Sequence, residues 1–319
     1  MKTNSIKILL TGGAGFLGRY VHKELLFRDY HYIFVPRSKE YDLTDFTVTK
    51  KLIEWYKPDI IIHLAAEVGG IGANMKYPGR FFYANMAMGL NLIECARIFG
   101  VNKFVQIGTV CSYPKFCPVP FNEKDLWNGY PEETNAPYGV AKKALYTMLD
   151  AYNKQYHLKS CIVVPTNLYG PYDNFDPETS HVIPALIKKF VDAKNKKDKY
   201  VTCWGDGSAT REFLYVTDAA VGVVDCMNLI NNAEPVNLGS DEEVSMLSLA
   251  NSIKQIVGFN GEIVWDTSKP NGQPRRFLDT SKAKKLLDFN ATTKLIDGLK
   301  NTVKFYIDNN KYNFQIKIK

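Results

Sequence analysis

Short apolar runs that end in glycine or polar residues alternate, through the first half of the chain, with longer segments whose apolar positions recur at helical spacing. Ile6–Leu10 runs into glycines and then into Arg19–Arg28, a helical pattern; His31–Val35 is the next strand, and Ile53–Tyr56 lies on the next helix. Asp59–Leu64 predicts a strand, Tyr77–Phe99 a long helix containing Asn85, and Phe104–Gly108 a strand apolar almost throughout. Strands apolar on both faces and separated by helices predict a parallel sheet covered on both sides. The fold class is therefore α/β, a Rossmann-type doubly wound parallel sheet. The second half is less regular. A helical pattern over Val182–Lys197, a strand and turn ending Trp204-Gly205-Asp206-Gly207, and a last helix over Leu295–Ile307 predict a smaller α+β substrate-binding cap domain. Phe213–Met227 is apolar enough to return to the first sheet. The expected division is 1–170, with a returning segment near 212–235, against a cap made of 171–211 and 236–319.

Composition narrows the class rather than the chemistry. The chain has 319 residues, 45% hydrophobic and 23% charged, which is enough for a large core and gives no sign of disorder or repeats. Cys95, Cys111, Cys117, Cys161, Cys203 and Cys226 lack metal-type spacing. They read as reduced thiols of a cytoplasmic protein, and no metal site is expected. The apolar run near the N-terminus is too short for a signal peptide or a membrane span. A formal charge of +7, mostly dispersed lysine, favours polyanionic small ligands such as nucleotides; nothing singles out nucleic acid or a membrane as partner.

Candidate chemistry gathers at strand ends. Thr11-Gly12-Gly13-Ala14-Gly15-Phe16-Leu17-Gly18 follows a strand and opens a helix, where glycine permits a tight turn and the helix N-terminus offers free N–H groups to a pyrophosphate. The second strand ends in Pro36-Arg37-Ser38-Lys39, about 20 residues on, where a cofactor's ribose is read. A basic residue there suits a 2′-phosphate, so Arg37 points to NADP(H). The strand from Phe104 ends in Thr109-Val110-Cys111-Ser112, and Tyr138 and Lys142 stand four residues apart on one helix face. An ammonium beside a phenol lowers its pKa, so that Tyr138 can exchange a proton with a substrate oxygen near neutral pH. Asn85 is expected to brace the neighbouring active-site strand.

These features together resemble the extended short-chain dehydrogenase/reductase family over the first 170 or so residues. Further blocks extend the resemblance almost end to end. They are Val68-Gly69-Gly70-Ile71, Cys111-Ser112-Tyr113-Pro114-Lys115, Pro165-Thr166-Asn167-Leu168-Tyr169-Gly170-Pro171 and Asp173-Asn174-Phe175. With Ser180-His181-Val182-Ile183-Pro184-Ala185, Trp204-Gly205-Asp206-Gly207, Arg211-Glu212-Phe213-Leu214 and Lys269-Pro270-Asn271-Gly272, they resemble the GDP-L-fucose synthases of that family. The resemblance implies an NADPH-dependent enzyme that epimerises C3 and C5 of GDP-4-keto-6-deoxy-D-mannose and then reduces C4. It implies Thr109, Tyr138 and Lys142 as the reductase trio, and Cys111 and His181 as the epimerisation base and acid. For the cofactor it implies Gly12, Gly15, Phe16, Leu17, Gly18, Arg37, Asp42, Leu43, Ala65, Tyr138, Lys142, Pro165, Asn167, Leu168 and His181. For the GDP-sugar it implies Asn167, Lys189, Trp204, Arg211 and Arg276, with Arg211, Arg276 and Lys189 clamping the pyrophosphate. Relatives of this kind are typically homodimers through the helices bearing Asn85 and Tyr138. The glycine turn lacks the basic residue some members carry inside it, which leaves Arg37 with most of the 2′-phosphate contact.

Rival readings differ at named positions. A dehydratase of this fold has an Asp-Glu pair after the strand's Thr, where this chain has Val110 and Cys111. A 4-epimerase of the UDP-galactose type needs no Cys/His pair, and a non-catalytic NADP-binding regulator needs neither Tyr138 nor Lys142. A GDP-4-keto-deoxysugar 4-reductase, on a hexose or heptose and without epimerisation, is the alternative the residues leave open.

Overall fold

The computed structural model describes residues 3–269 and 271–316, with the side chains of all but 4, 71 and 310–316. Pro270, in one of the blocks above, lies outside the described residues. Six parallel strands form the main sheet, in the order Tyr32–Phe34, Lys7–Thr11, Ile60–His63, Lys103–Ile107, Lys159–Pro165 and Asn232–Leu238. Because successive side chains point to opposite faces, Ile8 and Leu10 enter one core layer and Leu9 the other. The first layer is closed by the helices Phe16–Phe27 and Val216–Leu229, through Val21, Leu25, Val223 and Val224. The second is closed by Phe46–Tyr56, Pro78–Ile98 and Ala136–Tyr156, through Leu52, Leu92, Leu145 and Leu149.

Local chemistry sets the element ends. Asp45 Oδ1 accepts the N–H groups of Thr47 and Val48 at 2.7 and 3.1 Å, capping the helix that begins at Phe46. Pro137 stands in the first turn of Ala136–Tyr156, where its missing N–H costs nothing.

A second group of strands, Asn167–Tyr169, Thr210–Tyr215, Glu243–Ser245 and Arg275–Arg276, makes the cap sheet, with Tyr200–Trp204 and Glu262–Asp266 as a separate parallel pair. The helices Val182–Lys196, Met246–Val257 and Leu295–Ile316 pack around them on Ile187, Phe190, Leu249 and Leu299. The expected boundaries need correction. Asn167–Tyr169 pairs with Thr210–Tyr215 rather than with the main sheet, and the main sheet's last strand continues to Leu238. The helix Ser281–Leu287 also returns to the first core layer through Ala283 and Leu287. The physical reason is that the sheet's last edge is covered only when Asn232–Leu238 pairs fully with Lys159–Pro165 and the short helix packs over it.

Glu212 ties the two parts. Its buried carboxyl accepts the N–H groups of Ser240, Asp241 and Leu278 at 2.7, 2.9 and 3.2 Å, while burial pushes its pKa up to about 7. Among the described residues no helix is long and apolar enough to cross a membrane.

Candidate active site

A cleft of about 1340 Å³ runs along the carboxyl ends of the main-sheet strands and under the cap. Every residue singled out in the sequence as a candidate for chemistry, cofactor or substrate lines it, from Gly12 and Arg37 at one end to Lys189, Trp204 and Arg211 at the other. Ligands of open parallel sheets sit in this crevice because the helices there begin and the strands stop pairing.

The glycine turn shows why its residues are small. Gly12 has φ +71°, and a Cβ on it would lie 2.6 Å from Ala65 N; a Cβ on Gly18 would strike the carbonyl of Gly12. The helix that follows starts at Gly15 without a side-chain cap, so its first N–H groups face the cleft. Arg37 is exposed at the cleft wall, and among the described residues its guanidinium has neither ion pair nor hydrogen bond. A backbone cradle at the turn and a free cation one strand away fit the pyrophosphate and 2′-phosphate of NADP. Asp42, its carboxylate held by Thr44 and its pKa lowered by those hydrogen bonds, lies beside Leu43 on the same wall.

Thr109 closes the strand Lys103–Ile107 and caps the short turn Val110–Ser112, its Oγ1 accepting from Cys111 N at 3.2 Å. The helix carrying Tyr138 rests directly on that turn because residue 139 is glycine: a Cβ there would collide with the Cys111 carbonyl. The Thr109 side chain therefore adjoins the Tyr138 phenol and favours its ionised form, and Lys142 Nζ donates to Ile107 O at 3.2 Å while lying 5.9 Å from the centre of the Tyr138 ring. The expected lowering of the Tyr138 pKa is not what this arrangement produces. Burial raises it strongly, the nearby Cys111 adds to this, and only the Thr109 hydrogen bond opposes it. The phenol is thus protonated, the state that gives a proton away. Lys142 is buried, among the described residues no carboxylate pairs with it, and desolvation brings its pKa down to about 8.

His181 immediately precedes the helix Val182–Lys196 and lines the same cleft; it is exposed to solvent, yet desolvation by the surrounding protein still lowers its imidazole pKa. The segment leading into it is set by the glycines of the block Val68-Gly69-Gly70-Ile71. Gly70 N donates to Thr179 O at 3.2 Å, and a Cβ on Gly70 would lie 2.6 Å from Ser180 O. Asn85 is fully buried, but it braces a different element from the one expected: Nδ2 donates to Glu67 O and Phe81 O, both at 2.7 Å, fixing the loop after Ile60–His63.

In the cap, Lys189 Nζ donates to Thr202 O at 3.0 Å, and Arg211 donates to Thr210 O and Asn271 O at 2.7 and 3.3 Å. Burial, then the neighbouring Arg276, brings the Arg211 pKa down to about 10. Sequence reasoning missed Tyr146, whose hydroxyl meets Thr109 and Ser112. The signal was present: Tyr138, Lys142 and Tyr146 lie at successive intervals of four along one helix face.

Residues 8–239 match the NAD dependent epimerase/dehydratase family. GDP-L-fucose synthase 1 of Arabidopsis thaliana is 38% identical over 309 residues, covering 97% of this chain and 95% of that protein. Among solved structures, a GDP-6-OMe-4-keto-L-xylo-heptose reductase from C. jejuni superposes with a TM-score of 0.91 at 28% identity, covering 97% of this chain and 99% of that one. A GDP-L-fucose synthetase from Naegleria fowleri bound to NADP gives 0.88 at 31%, covering 97% and 96%. With the glycine turn, the Thr109–Tyr138–Lys142 cluster and this end-to-end similarity in hand, the chain belongs to the NAD dependent epimerase/dehydratase family, among its GDP-L-fucose synthases.

Proposed function

We propose that this enzyme converts GDP-4-keto-6-deoxy-D-mannose into GDP-L-fucose, inverting C3 and C5 and then reducing C4 with NADPH. The observation that carries this reading is that Cys111 and His181 line the same cleft as Thr109, Tyr138 and Lys142. A 4-reductase alone has use only for the last three.

The hydrogens on C3 and C5 of a 4-keto sugar are acidic because the carbanion delocalises onto the C4 oxygen. Cys111 as thiolate removes one, and His181 returns a proton on the other face, so that the carbon inverts. Thr109 and Tyr138 hold the C4 oxygen and stabilise its enolate charge. Tyr138 then protonates that oxygen in the reduction, for which NADPH, when bound, supplies hydride. Gly12, Gly15, Phe16, Leu17 and Gly18 would hold its pyrophosphate, Arg37 its 2′-phosphate, Asp42, Leu43 and Ala65 its adenosine half, and Pro165, Asn167 and Leu168 the nicotinamide end, next to Tyr138, Lys142 and His181. Lys189, Trp204 and Arg211 take the GDP part of the substrate. The functional unit is a homodimer through Pro78–Ile98 and Ala136–Tyr156. Phe82, Tyr83 and Leu90 on the first of these are 41, 56 and 43% exposed, which supports that surface. We place the enzyme in the cytoplasm, in keeping with six free cysteines among the described residues.

The likeness to a GDP-linked keto-heptose reductase favours a second reading, 4-reduction without epimerisation. Incubation with NADPH and GDP-4-keto-6-deoxymannose decides between them. NMR of the product shows the L-galacto configuration if the first reading holds, and an uninverted 6-deoxyhexose if the second does.

A further inference from the structure

The sequence resemblance assigns Arg276 to the pyrophosphate, yet its side chain goes elsewhere. Arg276 Nη1 lies 3.7 Å from Cys111 Sγ, with Arg276 only 9% exposed. Its Nε donates to Gln273 Oε1 at 2.8 Å, and Gln273 Nε2 in turn donates to Lys115 O at 2.6 Å, in the segment that follows the Cys111 turn. The guanidinium is therefore aimed by a neighbour that is itself tied to the thiol's own loop. Arg276 and Arg211 are register partners on adjacent parallel strands, so two cations stand side by side on the cleft wall. Among the described residues neither makes an ion pair, whereas the adjacent Arg275 is bridged to Glu243. Paired like charges in a sheet destabilise it unless an anion stands between or beside them. The pyrophosphate satisfies one of them; the second faces sulfur.

We propose that Arg276 is a positioning residue that holds Cys111 as its thiolate, leaving the pyrophosphate to Arg211 and Lys189. The role given to the thiolate rests on the epimerase reading above; the charge contact itself does not. In the step it serves, the Sγ lone pair takes a proton from C3 or C5, the C–H electrons move into the bond to C4, and the C4 oxygen becomes an enolate. Sulfur becomes a neutral thiol and no electrons leave the substrate. The other charged or titratable groups that interact with Cys111 are Arg211 in the cap sheet and Tyr138 and Tyr146 on the helix Ala136–Tyr156, and Lys142, Glu132 and His181 line the same cleft. Arg276 alone among them donates directly to sulfur.

The test is the rate of Cys111 alkylation by iodoacetamide at one fixed pH near 7 in the substrate-free full-length enzyme, read by mass spectrometry of the Cys111 peptide so that Cys117 does not interfere. A guanidinium against the sulfur favours the anion, and the thiolate is the reactive form. Arg276→Gln is expected to slow labelling about tenfold, and Arg276→Lys to recover most of that loss. Circular dichroism and NADPH binding report whether each variant is folded. An unchanged labelling rate in folded Arg276→Gln overturns the proposal, and so does a folded Arg276→Lys as slow as Arg276→Gln. If labelling slows as expected but wild-type enzyme incorporates no solvent deuterium into the sugar, the contact stands and the epimerase reading fails instead.

Discussion

Thr109 N donates to the hydroxyl of Tyr146 at 3.0 Å, so the end of the active-site strand hangs from the same helix that carries Tyr138 and Lys142. The Tyr146 hydroxyl also shares a hydrogen bond with Ser112 Oγ at 3.1 Å, and the strand approaches it closely because residue 108 is glycine, whose Cβ would lie 3.0 Å from Tyr146 Cζ. One helix thereby sets both the proton donor and the backbone position of the hydroxyl that works beside it. Tyr146→Phe leaves the buried Thr109 N–H without an acceptor, which costs about 1–3 kcal/mol. The expected result is a lower urea midpoint together with a fall in kcat of about tenfold or more, since small displacements of reacting groups are expensive. KM should stay within about twofold, because the group touches no substrate. A stability loss with unchanged kcat would show that Thr109 keeps its place without Tyr146.

Cofactor choice rests on Arg37. A charge-assisted contact to an ionised group is worth roughly 1.5–3 kcal/mol, or about 10- to 150-fold in affinity. Arg37→Ala is expected to raise the KM for NADPH by that order while leaving NADH almost untouched. Equal losses with both cofactors would move the 2′-phosphate contact to another residue.

What the sequence made legible was local. Strand runs, the glycine turn and the spacing of Tyr138 and Lys142 are all set by residues within a few turns of one another, and all three appear as read. Arg276 meets Cys111 across 165 positions of chain, and no local pattern specifies such a meeting. Nor does local spacing fix the Tyr138 proton: the ammonium beside it was legible, but the surrounding burial that raises its pKa belongs to the packed cap, sheet and helix together. Asn85 reads as a buried polar residue on a helix, yet its partner, Glu67 O, is chosen by where the loop after Ile60–His63 turns. The domain edges failed for the same reason, because strand pairing rather than composition decides which sheet Asn167–Tyr169 joins.

Asp173 gives the fold a pH dependence. It is 9% exposed, Oδ1 accepts from Asn174 N at 2.7 Å, Oδ2 has no partner, and burial raises its pKa from 3.8 to about 7. Between about pH 4 and pH 7 the folded protein keeps a proton that the unfolded chain has released. Stability contributed by this group is therefore full at low pH and is lost as pH rises to about 7, where the loss levels off. Asp173→Asn has no proton to lose. Its thermal midpoint should be close to wild type below about pH 4 and above it by the equivalent of a few kcal/mol at pH 8. A constant difference across that range would place the Asp173 carboxyl in water.

Epimerisation and reduction use different groups at one sugar, and isotope exchange can pull them apart. Cys111 and His181 line the same cleft as Tyr138 and Thr109, and the last two adjoin each other at the strand end. In Cys111→Ser proton abstraction is expected to fail, because an alcohol is a far weaker base than a thiolate, and the groups serving C4 remain in place. In heavy water, wild-type enzyme should place deuterium at C3 and C5 of the product. Cys111→Ser should place essentially none and slowly reduce the unepimerised ketone to a 6-deoxyhexose of D configuration. His181→Asn keeps the base and loses the acid on the opposite face, so it should exchange hydrogen without productive inversion. Wild-type exchange rates in Cys111→Ser would make Cys111 a packed thiol and send the search for the base elsewhere. No exchange in the wild type would make the protein a 4-reductase, leaving the Thr109–Tyr138–Lys142 cluster with its role and Cys111 and His181 without one.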